Sequence, residues 1–174
     1  LSAGGAVYLD SGGTTSLEVR TALGVVRDVG TQFEVRLTPA ALRVRVREGH
    51  VEIDRPGARL TGAAGEQLEI DVLGGVTRSA IATTDPEWQW AEAMAQAPEI
   101  DGRPATELFA WVARETGRRL RYASPEVEQR AATVILHGNI RHLAPLAALD
   151  AMLATTDLEY ALLGDTMEIR ARAE

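Results

Sequence analysis

The stretch Phe33-Glu34-Val35-Arg36-Leu37-Thr38-Pro39-Ala40-Ala41-Leu42-Arg43-Val44-Arg45-Val46-Arg47 decides the fold of the first half of the chain. Apolar residues take every second position on either side of residues 38–41, the period of a strand with one buried face. A four-residue loop at 38–41 places Val35 opposite Val44 and Phe33 opposite Val46. On the second face Glu34 then opposes Arg45, a favourable pair worth roughly 0.2–1 kcal/mol, and Arg36 opposes Arg43, a penalty unless a carboxylate intervenes. That second face is expected to be solvated, with Arg43, Arg45 and Arg47 partnered by Glu34 and other acids. A slip of one residue would turn the whole apolar set to water, so the register is tightly specified.

The same grammar extends through the first 80 residues. Short β-prone runs at 25–26, 33–37, 42–46, 51–53 and 68–72 alternate with Gly4-Gly5, Ser11-Gly12-Gly13, Gly24, Gly30, Gly49, Pro56-Gly57, Gly62, Gly65 and Gly74-Gly75. Strands spaced this way predict an all-β twisted sandwich or solenoid over residues 1–82.

Composition changes near residue 83. Asp85 before Pro86 is a helix start, N-cap followed by proline at the first helical position. A helical connector is expected over 83–97, carrying Trp88 and Trp90. Residues two apart on a helix point to different sides, so these two indoles are expected to sit at the domain junction.

Residues 98–174 mix both periods. A helix is predicted over 104–116, with Ala105, Leu108, Phe109 and Val112 on one face and Gly117 as its stop. A strand follows at 118–123, then a brief turn or helix opening at Ser124-Pro125-Glu126, a strand at 134–137 and a helix over 145–155. Two last strands, 158–162 and 167–170, meet at Gly164-Asp165, a favoured hairpin turn. The fold class is therefore α+β in two modules, the second a small β-α-β-β-α-β-β domain with helices on one sheet face.

Bulk properties exclude several functions. The 174 residues carry a net charge of −7, with 18 basic residues that are all arginine. Such a chain repels a phosphate backbone and has no basic cluster interleaved with aromatics, so no nucleic-acid partner is expected. Without cysteine there is neither a disulfide nor a thiolate metal site. No apolar run reaches the ~20 residues of a membrane helix. The chain starts at Leu1 with no signal peptide in view, and is expected to be a soluble fragment whose anchor or targeting segment lies upstream.

Reactive constellations are missing from the sequence. His137 and His142 lie five apart across Gly138, a spacing that does not put two imidazoles on one face, and His50 stands alone. No G-x-S-x-G elbow occurs, and Ser11-Gly12-Gly13 has no histidine nearby in sequence. The Gly4-Gly5 and Gly12-Gly13 pairs lead into strands rather than a helix, without a Gly-Lys pair to hold a phosphate. Glu126 and Glu128 belong to a solvated turn. The expectation is a protein that is not an enzyme, with no catalytic residue, metal or cofactor.

Several segments resemble the FecR family of membrane-spanning regulators. They are Gly24-Val25-Val26-Arg27-Asp28-Val29-Gly30-Thr31-Gln32-Phe33-Glu34-Val35, then Val46-Arg47-Glu48-Gly49-His50-Val51, then Ala64-Gly65-Glu66-Gln67-Leu68. They fall in the order and spacing of the family's G-x-V…G-T-x-F-x-V, V-x-E-G-x-V and A-G-E/Q pieces. The second half is similar to the short N-terminal domain of secretins and TonB-dependent receptors, the STN domain. It carries Asp101-Gly102-Arg103-Pro104 before a helix, a strand between Gly117 and Tyr122, and Leu136-His137-Gly138 before a second helix.

The resemblance implies a periplasmic signal relay, part of a protein anchored in the inner membrane. Its expected partner is the signalling domain of a TonB-dependent outer-membrane transporter, and its output an anti-σ or σ-factor pathway in iron-uptake regulation. Strand edges would make the contact, because unpaired N–H and C=O groups accept a partner strand. The candidate protein-binding residues are Leu120 and Tyr122 on one strand and Val134, Leu136 and His137 on another. Two alternatives remain open, a cell-envelope glycan-binding module and a structural scaffold. Glycan binding would need exposed stacking rings, and Tyr8 is the only Tyr or Trp in the first 80 residues.

Overall fold

A computed structural model describes residues 1, 4–11 and 17–172. Gly12 and Gly13 of the expected Ser11-Gly12-Gly13 turn lie outside the described residues. The chain divides into two compact units, Leu1–Thr83 and Thr84–Glu174.

Among the described residues the first unit forms one antiparallel sheet of seven strands: β1 (Gly5–Asp10), β2 (Glu18–Thr21), β3 (Gly24–Leu37), β4 (Ala41–Arg55), β5 (Ala58–Ala63), β6 (Glu66–Asp71) and β7 (Val76–Ala80). The order is β1-β3-β4-β6-β7, with β2 added to the first half of β3 and β5 to the second half of β4. The hairpin β3–β4 has Phe33 opposite Val46, Val35 opposite Val44, Glu34 opposite Arg45 and Arg36 opposite Arg43. Its loop is closed by Thr38, whose N–H donates to the Ala41 carbonyl (2.9 Å) while its hydroxyl accepts from Ala41 N–H (3.0 Å).

Two features differ from the sequence expectation. Gly30 and Gly49 are not turns between short strands; both lie inside the long strands β3 and β4, at φ 71° and 72°. The ladder shifts register around Gln32, as a β-bulge does. Core-facing residues change from even to odd numbers across it, Val26 before and Phe33, Val35 and Leu37 after. In β4 the same change separates Leu42, Val44 and Val46 from Val51 and Ile53. Broken alternation had looked like broken strands; instead the extra residues let both halves of a bent hairpin turn their apolar sides to one core. At Gly49 a Cβ would stand 2.6 Å from Thr31 Cγ2 and 2.7 Å from the Gly30 carbonyl oxygen, so glycine is needed there.

The second difference is the polar face of the hairpin, which is not solvated. Glu34 is fully buried, Arg45 is 3% exposed, and Gln32 and Arg47 are buried as well. Burial obliges each polar group to find partners. Glu34 accepts from Arg36 Nε (3.2 Å) and Arg43 Nη2 (3.0 Å), so the carboxylate lies between the two arginines that oppose each other across the ladder. Arg45 Nε donates to Gln67 Oε1 (2.6 Å) and Arg47 Nε to the Thr83 carbonyl (2.8 Å).

The second unit opens with a 3-10 turn at Pro86–Trp88 and one helical turn, α1 (Gln89–Glu92), shorter than the connector helix expected. Asp85 caps it, accepting from Glu87 N–H (2.9 Å). Then follow β8 (Arg103–Pro104), α2 (Ala105–Glu115), β9 (Arg119–Tyr122), α3 (Pro125–Thr133), β10 (Ile135–Leu136), α4 (Pro145–Leu153), β11 (Leu158–Leu163) and β12 (Thr166–Ala171). The strands form a three-stranded sheet, β11-β12-β9, and a separate pair, β10-β8. In the former β12 runs antiparallel to β11 and parallel to β9.

The brief turn or helix expected to open at Ser124-Pro125-Glu126 is a nine-residue helix, α3, because Ser124 caps it and Val127 and Ala131 bury one face four residues apart. The strand expected over 134–137 shrinks to Ile135–Leu136, since α3 ends only at Thr133 and β8 offers just two residues to pair with. Phe109, Leu108, Leu149, Met167 and Ile169 are among the residues of one core joining α2, α4 and the larger sheet.

Candidate protein-binding strand edges

In the second unit the backbone itself makes the candidate site. Side chains that could hold a metal do not gather: among the described residues no group of three or more His, Asp or Glu is placed to do so. His137 Nδ1 lies 3.4 Å from Asp101 Oδ1, both side chains exposed, and Asp101 also accepts from Gly138 N–H (3.1 Å). No helix among the described residues is long and apolar enough to cross a membrane.

Each of the two small sheets has open edges. In β9, Arg119 N–H donates to Asp165 O (2.8 Å) and Ala123 N–H to Ile169 O (2.9 Å). Odd residues thus face β12, and Leu120 and Tyr122 turn their backbone groups to the open side. Their side chains are half-buried against the core, the Tyr122 ring tilted against Phe109 with centroids 6.5 Å apart. Burial, and then the charge of Glu128, push the Tyr122 phenol above its ordinary range. Arg119 and Arg121 point to the other face, where Arg119 reaches Asp165 (2.7 Å) and Arg121 pairs with Glu168. Arg170 holds the same carboxylate, so Glu168 is buried between two guanidiniums, as Glu34 is in the first unit.

In β10 the parity is reversed. Gly102 N–H donates to Leu136 O (2.8 Å) and Ala105 N–H to Val134 O (2.9 Å), so those two carbonyls are used by β8. The Leu136 side chain is in the core and Val134 is half-buried against it. Ile135 and His137 face outward, beside a shallow groove whose other wall is residues 155–157. Of the five candidate residues, Leu120, Tyr122 and His137 thus have outward backbone; Val134 and Leu136 do not. Trp88 is buried and Trp90 half-buried.

Sequence reasoning placed a strand at 158–162, the present β11, but did not name it among the candidate edges. Arg172 N–H donates to Asp157 O (2.8 Å), and antiparallel ladders alternate. Odd residues of β11 therefore bond to β12, while Leu158, Tyr160 and Leu162 turn outward along a six-residue edge. The Leu158 N–H is taken by Thr156 Oγ1 (3.2 Å). Tyr160 donates its hydroxyl to Asp150 Oδ1 (2.7 Å), which ties β11 to α4. Burial, this hydrogen bond and the Asp150 charge push the phenol up to about 12, against a smaller opposing effect of Arg118. The signal was present as the run Leu158-Glu159-Tyr160-Ala161-Leu162-Leu163, but which strand lies at an edge is a matter of sheet order.

The described residues thus form a β-rich first unit and a second unit of short strands and helices with open strand edges. The family model described as FecR protein matches residues 1–52. That segment spans β1 to β3 and most of β4, including the hairpin and its bulge. A search of curated proteins finds no match. Among solved structures, two crystal structures of a proposed anti-sigma factor from Parabacteroides distasonis are similar, each 18% identical over 99% of this chain. Their TM-scores are 0.40 and 0.42, with 78% and 79% of those chains covered.

Proposed function

We propose that the chain is the signal-relay and protein-interaction region of a FecR-like transmembrane regulator, without enzymatic activity of its own. The observation that carries this reading is the match of residues 1–52 to the FecR protein family. Open strand edges in the second unit add support, because they offer main-chain hydrogen bonds to a partner without any reactive group. The alternation of short strands and helices from β8 to β12 supports an STN-like second domain. On this reading the region works in the periplasm, the intact protein is held in the inner membrane, and the partner is the signalling domain of a TonB-dependent transporter acting on a σ-factor pathway.

Calorimetry of the chain with the signalling domain of the transporter encoded beside its gene tests the proposal. Saturable binding is expected, weakened when Leu120 of β9, whose backbone N–H faces the open side, is replaced by proline. Heat no greater than that of dilution, with a correctly folded domain, removes the relay reading.

A further inference from the structure

Large apolar side chains that stand in water together call for an explanation. Among the described residues Leu73 is the most exposed of them, at 94%, and Val72 (57%) and Val76 (38%) flank it on the turn between β6 and β7. Thr38, Pro39 and Ala40, on the loop between β3 and β4, are exposed as well. Val72 N–H donates to Ala40 O (3.1 Å), which joins the two loops into one tip at one end of the sheet.

The backbone donors of this tip are satisfied within it. Thr38 N–H goes to Ala41 O (2.9 Å), Pro39 has no N–H, and the N–H groups of Ala40 (3.3 Å) and Ala41 (3.0 Å) go to the Thr38 hydroxyl. In the second loop Asp71 N–H goes to Gly75 O (3.0 Å) and Gly74 N–H to Asp71 O (3.0 Å). Leu73 N–H (2.8 Å) and Gly75 N–H (2.9 Å) both go to Asp71 Oδ1, and Gly74 O accepts from Arg55 Nη1 (2.8 Å). A loop in water has no need of such completeness, because solvent serves its donors. Hydrocarbon serves none, so a segment that enters it must bond its own backbone. Asp71 is the only charged residue within 38–41 and 71–76, and its carboxylate is turned back onto the turn it closes.

We propose that this tip dips into the apolar layer of a lipid bilayer, with Leu73 leading. The inference deepens the relay reading and rests on it for the bilayer, since that reading holds the intact protein at the inner membrane. With a net charge of −7 the chain is repelled by an anionic surface, so aliphatic insertion supplies the attraction and a zwitterionic bilayer is preferred. Three aliphatic side chains bind weakly and reversibly, which suits a domain already held beside the membrane.

Co-sedimentation of the chain with phosphatidylcholine vesicles, up to about 10 mM lipid, tests this. A bound fraction rising with lipid is expected, smaller when phosphatidylglycerol is mixed in. Leu73→Glu should lower it at least fivefold, whereas Leu163→Glu, at an exposed leucine of the second unit, should leave it unchanged. Because the chain has no cysteine, a nitroxide can be placed on Pro39→Cys or on Glu159→Cys. Vesicles should shield the first, and not the second, from a water-soluble nickel relaxation agent. No binding at the highest lipid concentration overturns the proposal, as do equal losses from the two leucine variants, tighter binding to phosphatidylglycerol, or a Pro39 label left open to nickel. A chain that ignores vesicles yet binds the transporter domain in calorimetry removes the lipid contact alone; vesicle binding without transporter binding removes the relay partner alone.

Discussion

Glu34 is the residue on which the first unit's polar face depends. Burial alone would raise its pKa, but hydrogen bonds and charges from Arg36 and Arg43 outweigh that and hold it below the ordinary 4.5. A carboxylate with a lowered folded pKa stabilises the fold above its unfolded value, and that contribution is lost as pH falls through the folded one. Urea midpoints should therefore fall as pH drops below about 4.5, and Glu34→Gln should flatten this dependence. At pH 7 the same substitution is expected to cost about 1–3 kcal/mol, because it leaves two arginines facing each other without their anion. Tyr160 behaves in the opposite sense. Its pKa is raised, so its contribution is complete below pH 10 and disappears as pH rises through about 12. An alkaline absorbance titration should show a tyrosine ionising there, and Tyr160→Phe should abolish that step.

At the scale of elements, the bent hairpin depends on Gly49. Any side chain there must adopt a left-handed backbone and push against the Gly30 carbonyl. Gly49→Ala is expected to destabilise by about 1–3 kcal/mol in chemical denaturation, more than an exposed Gly→Ala exchange in a strand. Helix α3 depends on a different device. Ser124 Oγ accepts from Val127 N–H, and Ser124→Ala should cost about 1 kcal/mol, measured the same way. Both elements show where local reading fell short. Gly30 and Gly49 carried a strong glycine signal, yet a glycine at positive φ serves a bulge as well as a turn, and only pairing with the neighbouring strand separates the two. The helix start at Ser124-Pro125 was visible, but its length rests on Val127 and Ala131 reaching a core contributed by distant residues.

Across the whole molecule, two apolar clusters hold the large buried side chains apart from Trp88, one including Phe33 and Val44, the other Phe109 and Leu149. Phe33→Ala and Phe109→Ala should each cost about 3–5 kcal/mol. All three tryptophans lie in the second unit, so the Phe109 variant can be followed by indole fluorescence and the Phe33 variant by far-ultraviolet circular dichroism.

The chain's own order of residues determined the β3–β4 pairing partners, the helices at 105–115 and 145–153 and the hairpin at Gly164-Asp165. Those features follow from periodicity and turn chemistry within a few neighbouring residues. Tertiary structure alone decided that the hairpin's polar side is covered, that Glu34 bridges Arg36 and Arg43, and that β11 rather than β10 offers the long free edge. Coverage and edge position arise from what packs or pairs beside a strand, and those neighbours come from segments tens of residues away whose placement no local pattern encodes.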